Sequence, residues 1–330
     1  MQLPAKFKHI SVNPDSKSLY LDESILESPE ARDVLIKVTA AGINRADLLQ
    51  RQGLYPAPAD ASPILGLEVA GVVAATGPDV TQWQVGDRVC ALVHGGGYAN
   101  YCAVREDQCL HVPDNIELDA AAGLPEALLT AWHNVFERAQ LKPGETLLVQ
   151  GGSSGIGSMA VQMAKLWGAK VIATAGGAHK CQRLKEMGVD LVIDYREQDF
   201  EVIVKDYTEG GGVDVIFDMV GGDYIQKHIN CAAVEGRIVN IAYQNGFVAE
   251  IHFGLVLIKR LSLLASTLRP QSFDAKARMT RVISEHFGAA LSQGNLLPVI
   301  DSIYPLAEAE KAQNAMAQGN HFGKILLRSD

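Results

Sequence analysis

Cysteine is scarce in this chain of 330 residues, and the five present (Cys90, Cys102, Cys109, Cys181, Cys231) are odd in number and scattered. That excludes a disulfide framework and predicts reduced thiols in a cytoplasmic protein. A long basic run is also missing: 29 Lys plus Arg stand against 38 Asp plus Glu, a net charge of −9. Nucleic acid is therefore not expected as the main partner, although a local patch can still hold a phosphate. No stretch is long and apolar enough to span a bilayer. The N-terminus, Met1-Gln-Leu-Pro-Ala-Lys-Phe-Lys8, lacks a long apolar signal core, so no membrane partner is expected either. Internal repeats and low-complexity tracts are absent. So are a recognisable Ser/His/Asp nucleophile set and a general acid/base pair at a suggestive spacing. What is there is 48% hydrophobic and 20% charged, a balance able to bury a core and long enough for two domains.

The most informative stretch runs from Glu145 to Asp194. An apolar run to Gln150 is followed by Gly151-Gly-Ser-Ser-Gly-Ile-Gly157, a helical pattern to Trp167, and a second apolar run, Lys170-Val-Ile-Ala-Thr174. This is strand, glycine turn, helix, strand, a length that suits one βαβ unit. Such a turn presents free backbone N–H groups at a helix N-terminus, where they favour a pyrophosphate. A Cβ at the closest approach would hold the phosphates off. Gly152, Gly155 and Gly157 supply the turn, the approach and close helix–strand packing. Ser153 and Ser154 either cap the helix or bond phosphate oxygen. The spacing departs from the commonest G-x-G-x-x-G form, so its context carries the weight.

The end of the second strand bears on which dinucleotide is bound. An Asp or Glu there would bond the ribose hydroxyls and repel a 2′-phosphate. Here it reads Ala175-Gly176-Gly177, with His179 and Lys180 close behind and Tyr195 after the third strand. A neutral turn with a nearby cation predicts NADPH. Taken alone, Lys180 reads equally as a solvated helix charge.

Elsewhere the first third is β-rich, with strands expected over 34–39, 66–75, 86–92 and 97–104 and a short helix over 45–52. Short strands between Gly and Asp turns suggest a small barrel or sandwich. Residues 118–140 read as helix interrupted by Pro125. Six strands, 146–150, 170–174, 191–194, 213–218, 237–241 and 261–265, match a doubly wound dinucleotide fold. Helices over 273–291 and 304–316 and a closing strand over 323–328 follow. The fold class is α/β. The division expected is 1–124 completed by 269–330, and 125–268.

Several segments together resemble the medium-chain dehydrogenase/reductase superfamily over the whole chain. They are Ala41-Gly-Ile-Asn-Arg-Ala-Asp47, Arg51-Gln-Gly-Leu-Tyr-Pro56, Gly66-Leu-Glu-Val-Ala-Gly71, Gly86-Asp-Arg-Val89, Leu129-Thr-Ala-Trp132, the glycine turn, and Gly323-Lys-Ile325. Within it the chain is similar to the zinc-independent NADPH:quinone oxidoreductases, including their p53-inducible branch. The resemblance implies a GroES-like β-barrel catalytic domain and a doubly wound Rossmann domain that binds NADPH. Zinc relatives place a Cys after the Ala-Gly turn and a His in Gly-His-Glu. This chain has Asn44-Arg45 and Gly66-Leu67-Glu68, and its cysteines do not imitate the structural-zinc run, so no metal is expected. Alcohol oxidation needs an alkoxide stabilised, as zinc does; quinone reduction needs this less, because the ring delocalises charge.

By the same resemblance, Asn44, Tyr55 and Thr130 are the catalytic candidates. Asn44 lies near the nicotinamide or is simply a turn residue. Tyr55 bonds a quinone oxygen or lines the pocket. Thr130 approaches the nicotinamide or is a buried helix threonine. Gly152, Ser154, Gly155, Ile156 and Gly157 are assigned to the pyrophosphate, and Gly177, Lys180 and Tyr195 to the 2′-phosphate. Ala242 and Leu268, in the loops after strands five and six, are assigned to the cofactor. Lys324 either joins them or is a solvated edge-strand lysine. The acidic Glu68 and Asp47 are catalytic or structural. A homodimer by sheet extension around residues 250–265 is implied, with a quinone or enone as the small-molecule substrate. The leading expectation is an NADPH-dependent quinone reductase transferring hydride directly, without metal or flavin. The alternatives are an enone reductase and a non-catalytic NADPH-binding sensor or structural protein.

Overall fold

A computed structural model describes residues 3–329, so the first two residues of the N-terminal stretch and Asp330 lie outside the described residues. The chain divides into two compact units, Met1–Leu129 with Arg269–Asp330, and Thr130–Leu268.

The first unit opens with a hairpin of β1 (Lys6–Val12) and β2 (Leu19–Ile25). The long strand β3 (Asp33–Gly42) leads into helix α1 (Arg45–Arg51). There follow β4 (Glu68–Thr76), β5 (Arg88–Leu92), β6 (Tyr101–Arg105) and β7 (Cys109–His111). A 3₁₀ turn over Ala120–Gly123 precedes α2 (Pro125–Ala131), with Pro125 at the first helical position, where a missing N–H costs nothing.

In the second unit a π-helical segment, Trp132–Arg138, continues from α2. Ala139 N–H reaches Asn134 O at 2.9 Å, five residues back. Strands β8 (Thr146–Val149), β9 (Lys170–Ala175), β10 (Leu191–Asp194), β11 (Val213–Asp218), β12 (Ala232–Asn240) and β13 (Ser262–Ala265) alternate with helices. Those helices are α3 (Gly155–Leu166), α4 (Ala178–Glu186), α5 (Phe200–Tyr207), α6 (Tyr224–Cys231) and α7 (Phe253–Lys259). The sheet is parallel in the order β10-β9-β8-β11-β12-β13. Its central strands are buried on both faces, which is why they read as unbroken apolar runs. Segment 250–265 is two elements, α7 and β13, parted by Arg260 at φ 53°.

The chain then completes the first unit with α8 (Phe273–Ser292), β14 (Ile300–Pro305), α9 (Ala309–Gln318) and β15 (Lys324–Arg328). The helix expected from 304 thus begins at Ala309; Tyr304 and Pro305 end a strand whose burial alternates residue by residue. The sheet order is β14-β15-β3-β4-β5-β7, with β6 also pairing β3. Ten-residue β3 therefore serves three neighbours, and its Val34, Ile36 and Val38 enter one apolar core with Ile10, Val69, Val89 and Leu327. No helix among the described residues is long and apolar enough to cross a membrane.

Candidate functional site

In the second unit, parallel strands bring their carboxyl ends into one row: Asp194 is level with Ala175, and Asp218 with Asn240 and then Ala265. Every residue that the sequence assigned to the cofactor in this unit follows one of these ends. Gly151, at φ 72°, turns the chain away from β8. Gly152 sits so close to β9 that a Cβ would lie 2.8 Å from Ala173 Cβ. Ser154 caps α3: its Oγ accepts from Gly157 N–H at 2.9 Å and donates to Gly151 O at 2.8 Å. The hydroxyl thus caps the helix. The first helical N–H groups, Gly155 and Ile156, have no acceptor within the helix. Close strand approach, positive-φ glycine and open helix N-terminus fit a dinucleotide pyrophosphate.

Beneath the turn runs a buried polar string. Gly151 N–H donates to Thr174 Oγ1 at 3.1 Å, which donates to Gln150 Oε1 at 2.7 Å. Gln150 Nε2 meets His228 Nε2 at 3.0 Å. With Gln150 donating, the ring proton belongs on Nδ1, 3.8 Å from Asp218 Oδ2 and too far to bond. Burial pushes His228 down to about 3, so it is neutral. Burial pushes Asp218 up to about 6, against N–H bonds from Val220 and Gly221 and the Asn240 amide.

After β9, Gly177 adopts φ 95° and its N–H is held by both oxygens of Asp194, at 3.0 and 3.1 Å. That carboxylate also accepts from Arg196 N–H at 3.1 Å, so it shapes the turn. A Cβ on Gly176 would fall 2.6 Å from Tyr195 Oη and 2.8 Å from Arg196 Nε. Arg196 is therefore a second cation at this turn besides Lys180, and it escaped the sequence reading. The signal was present: it directly follows Tyr195. Thr130 is buried, with its carbonyl accepting from Asn134 Nδ2 at 2.9 Å; Asn134 Oδ1 in turn takes Ser266 Oγ at 2.7 Å. Ala242 is partly buried and Leu268 buried, after β12 and β13.

In the first unit Asn44, Asp47, Glu68 and Lys324 form a closed cluster, and Tyr55 is not among the groups bonded in it. Asn44 precedes α1, and Asp47, three residues on, accepts its N–H at 2.8 Å, a capping arrangement. The Asn44 amide is used at both ends: Nδ2 donates to Glu68 Oε1 at 2.9 Å, and Oδ1 accepts from Lys324 Nζ at 2.7 Å. Lys324 is 4% exposed, pairs with Glu68 at 2.5 Å and donates to Ile43 O at 3.0 Å. Three N–H groups meet three oxygens. The reading of Lys324 as a solvated edge-strand lysine fails, because β15 lies between β14 and β3. Glu68 Oε2 accepts Glu126 N–H at 2.9 Å. Asp47 is pushed up to about 6 by burial, against bonds from Asn44 N–H and Tyr98 Oη. One Asn44 amide N–H is left over from these bonds. Tyr55 is partly buried; burial, then Glu126, raises its phenol, which stays a donor at neutral pH. Among the described residues no three His, Cys, Asp or Glu side chains are grouped to hold a metal.

Comparison with known proteins gives two family matches: Alcohol dehydrogenase GroES-like domain over residues 30–114 and Zinc-binding dehydrogenase over 155–284. Quinone oxidoreductase-like protein 2 of Bos taurus is 31% identical, covering 94% of this chain and 89% of that one. Quinone oxidoreductase of Pseudomonas aeruginosa is 31% identical, covering 91% and 92%. A phenolphthiocerol/phthiocerol polyketide synthase of Mycobacterium tuberculosis is 31% identical over 91% of this chain, which spans only 14% of that protein's length. Among solved structures, the quinone oxidoreductase of Pseudomonas syringae pv. Tomato DC3000 aligns with TM-score 0.84 at 30% identity, covering 98% of this chain and 99% of that one. CurK enoyl reductase aligns with TM-score 0.86 at 28% identity, covering 99% and 100%.

Proposed function

The chain belongs to the medium-chain dehydrogenase/reductase superfamily, and from that premise we propose that it is an NADPH-dependent quinone reductase. Membership makes it an oxidoreductase that uses a nicotinamide dinucleotide. When bound, the dinucleotide supplies the hydride; this chain's residues bind it and orient the acceptor. The amides of Gly155 and Ile156, with Gly152 and Gly157 giving close approach and Ser154 the cap, hold the pyrophosphate. Gly177, Lys180, Tyr195 and Arg196 take the 2′-phosphate. Ala242 and Leu268 line the cofactor at the carboxyl ends of β12 and β13, and Thr130 approaches the nicotinamide. Lys324 serves by fixing Asn44, whose side-chain amide is the polar group assigned to the reaction. Tyr55 donates to an acceptor oxygen, where negative charge develops as hydride arrives.

The observation that carries the cofactor reading is the turn at Gly176: no Cβ stands there, and the Tyr195 hydroxyl and Arg196 guanidinium occupy that space. Fluorescence titration tests it. NADPH should bind more tightly than NADH, and Arg196→Ala should weaken NADPH about 10- to 100-fold, as loss of a charge-assisted pair would, while leaving NADH unchanged. An NADH preference in the native protein would overturn the NADPH assignment. For the acceptor, the quinone oxidoreductases at 30–31% identity support a quinone. The enoyl reductase at TM-score 0.86 supports an enone as the second reading. Steady-state NADPH oxidation with 1,4-benzoquinone, 9,10-phenanthrenequinone and a simple enone separates the two, and NADPH binding with no turnover would favour a sensor or structural role.

A homodimer is part of the same proposal. Strand β13 is an edge strand with one side unpaired, and in the segment just before it Phe247, Val248, Phe253, Leu257 and Ile258 are 67% to 88% exposed. An edge of this kind needs a cover, and a second copy would supply it with isologous pairing.

A further inference from the structure

Two buried cations of the first unit, Arg269 and Lys276, are bonded to no carboxylate among the described residues. Arg269 is 6% exposed, and its guanidinium makes one hydrogen bond, from Nη1 to the neutral Gln50 Oε1 on α1 at 2.6 Å. Its Nε and Nη2 are buried without a partner, so the group is closed to any ligand. Lys276, 2% exposed on α8, donates to the Arg269 carbonyl at 2.7 Å and lies 3.4 Å from His94 Nδ1. Asp47 and Glu126 act on the guanidinium, and Glu126 and Asp60 on the ammonium, only through space. A buried charge without an ion partner is costly, and a position kept for structure alone is better filled by a neutral side chain.

What the guanidinium does lie against is Tyr55. Its Cζ stands 5.8 Å from the centroid of the ring, over one face. Tyr55 has little else to fix it. It sits in the irregular stretch between α1 and β4, and its hydroxyl is bonded to no protein group among the described residues. The backbone bonds just before it, Gly53 N–H to Gln50 O and Leu54 N–H to Leu49 O, both at 2.9 Å, tie the chain to the end of α1. Arg269 holds that same helix end through the Gln50 side chain. Burial and then Glu126 raise the phenol, and Arg269 works against both.

We infer that Arg269 is a positioning residue for Tyr55: it holds the ring by its face, and its uncompensated charge makes the phenol a stronger hydrogen-bond donor. This rests on the reductase reading above, in which Tyr55 donates to the acceptor oxygen. The guanidinium touches no substrate. As negative charge develops on the acceptor, the phenol O–H polarises towards it, and a fixed cation beside the ring favours that polarisation.

The phenol is read without turnover, by fluorine NMR of the full-length protein carrying 3-fluorotyrosine, with the Tyr55 signal assigned as the one missing from Tyr55→Phe. Arg269→Met should move the Tyr55 ionisation to higher pH. Arg269→Lys, which returns the charge without the fork, should stay nearer the native protein. Equal shifts in the two variants overturn the inference, since lost packing alone would give them. Gln50→Glu keeps the arginine but answers its charge with a carboxylate, so it should also move the ionisation up. No shift in Gln50→Glu overturns the inference too, and this arm needs no arginine variant to fold. With turnover, Arg269→Met should lower kcat/KM on 1,4-benzoquinone about three- to tenfold, no more than Tyr55→Phe does, and under about twofold further in the Tyr55→Phe background. Full additivity of the two losses would show Arg269 acting apart from Tyr55 and overturn the inference. An ionisation that responds as expected in a protein that reduces no quinone or enone would uphold the positioning and remove the reductase reading.

Discussion

At the scale of single residues, the buried Lys324–Glu68–Asn44 cluster sets the strongest expectation. Removing one member of a buried ion pair leaves the other charge without compensation and costs about 3–5 kcal/mol. Lys324→Met or Glu68→Gln should each lower stability by that order in urea denaturation. A double replacement with apolar residues should cost clearly less than the sum of the two. Tyr55→Phe tests something different, because the ring stays. If the phenol donates to the acceptor, kcat/KM on a quinone should fall about five- to tenfold, the worth of one neutral hydrogen bond, with stability unchanged; no fall would remove Tyr55 as a polar participant. The sequence named Asn44, Glu68, Asp47 and Lys324 but could not say which ones touch. Lys324 meets Asn44 across 280 residues of chain, a separation that no local pattern records. Arg196 escaped for a related reason: a lone arginine in a polar stretch looks solvated until the backbone around it is known.

At the scale of elements, α6 delivers His228 beneath the glycine turn and gives the second unit an acid-sensitive floor. Below its ordinary value of 6.5 the imidazole takes a proton in the unfolded chain, but in the folded chain only near about 3. Unfolded binding exceeds folded binding throughout that window, so stability falls as pH drops through it. Asp218 opposes this between 3.8 and about 6, because there the folded chain holds a proton that the unfolded chain has released. His228→Gln removes the first effect and keeps a partner for Gln150. The native protein should therefore lose about 2 kcal/mol more than the variant between pH 7 and 4.5, read from urea midpoints at both pH values. Elements of this unit were legible because parallel strands buried on both faces write themselves as runs such as Leu147-Leu148-Val149. The hairpin β1–β2 left little trace, since burial along β2 reads mostly exposed. The start of α9 was misplaced because the apolar periodicity of 306–316 runs backwards into the alternating strand β14.

At the scale of the whole molecule, the expectation concerns assembly. If β13 and α7 meet a second copy, Leu257→Glu together with Ile258→Glu should convert a dimer into a monomer in size-exclusion chromatography with light scattering at micromolar protein. Neither side chain is buried within the chain, at 79% and 71% exposure, so a fall in melting temperature beyond that caused by dissociation is not expected. A native protein that runs as a monomer would end the dimer reading. The architecture itself was readable from order alone, because a β-rich opening followed by strand–helix alternation admits few folds.

Strand β15 sits between β14 and β3, and its Leu326 pairs with Gly42 from far up the chain. The first unit cannot complete its sheet before β15 has been made, whereas the second has all its strands by residue 265. Until then the Ala40–Gly42 end of β3 lacks its partner on one side, while β6 already covers Asp33–Lys37. A chain cut short before Lys324 would hold every strand of the dinucleotide fold and leave its companion sheet open between β14 and β3.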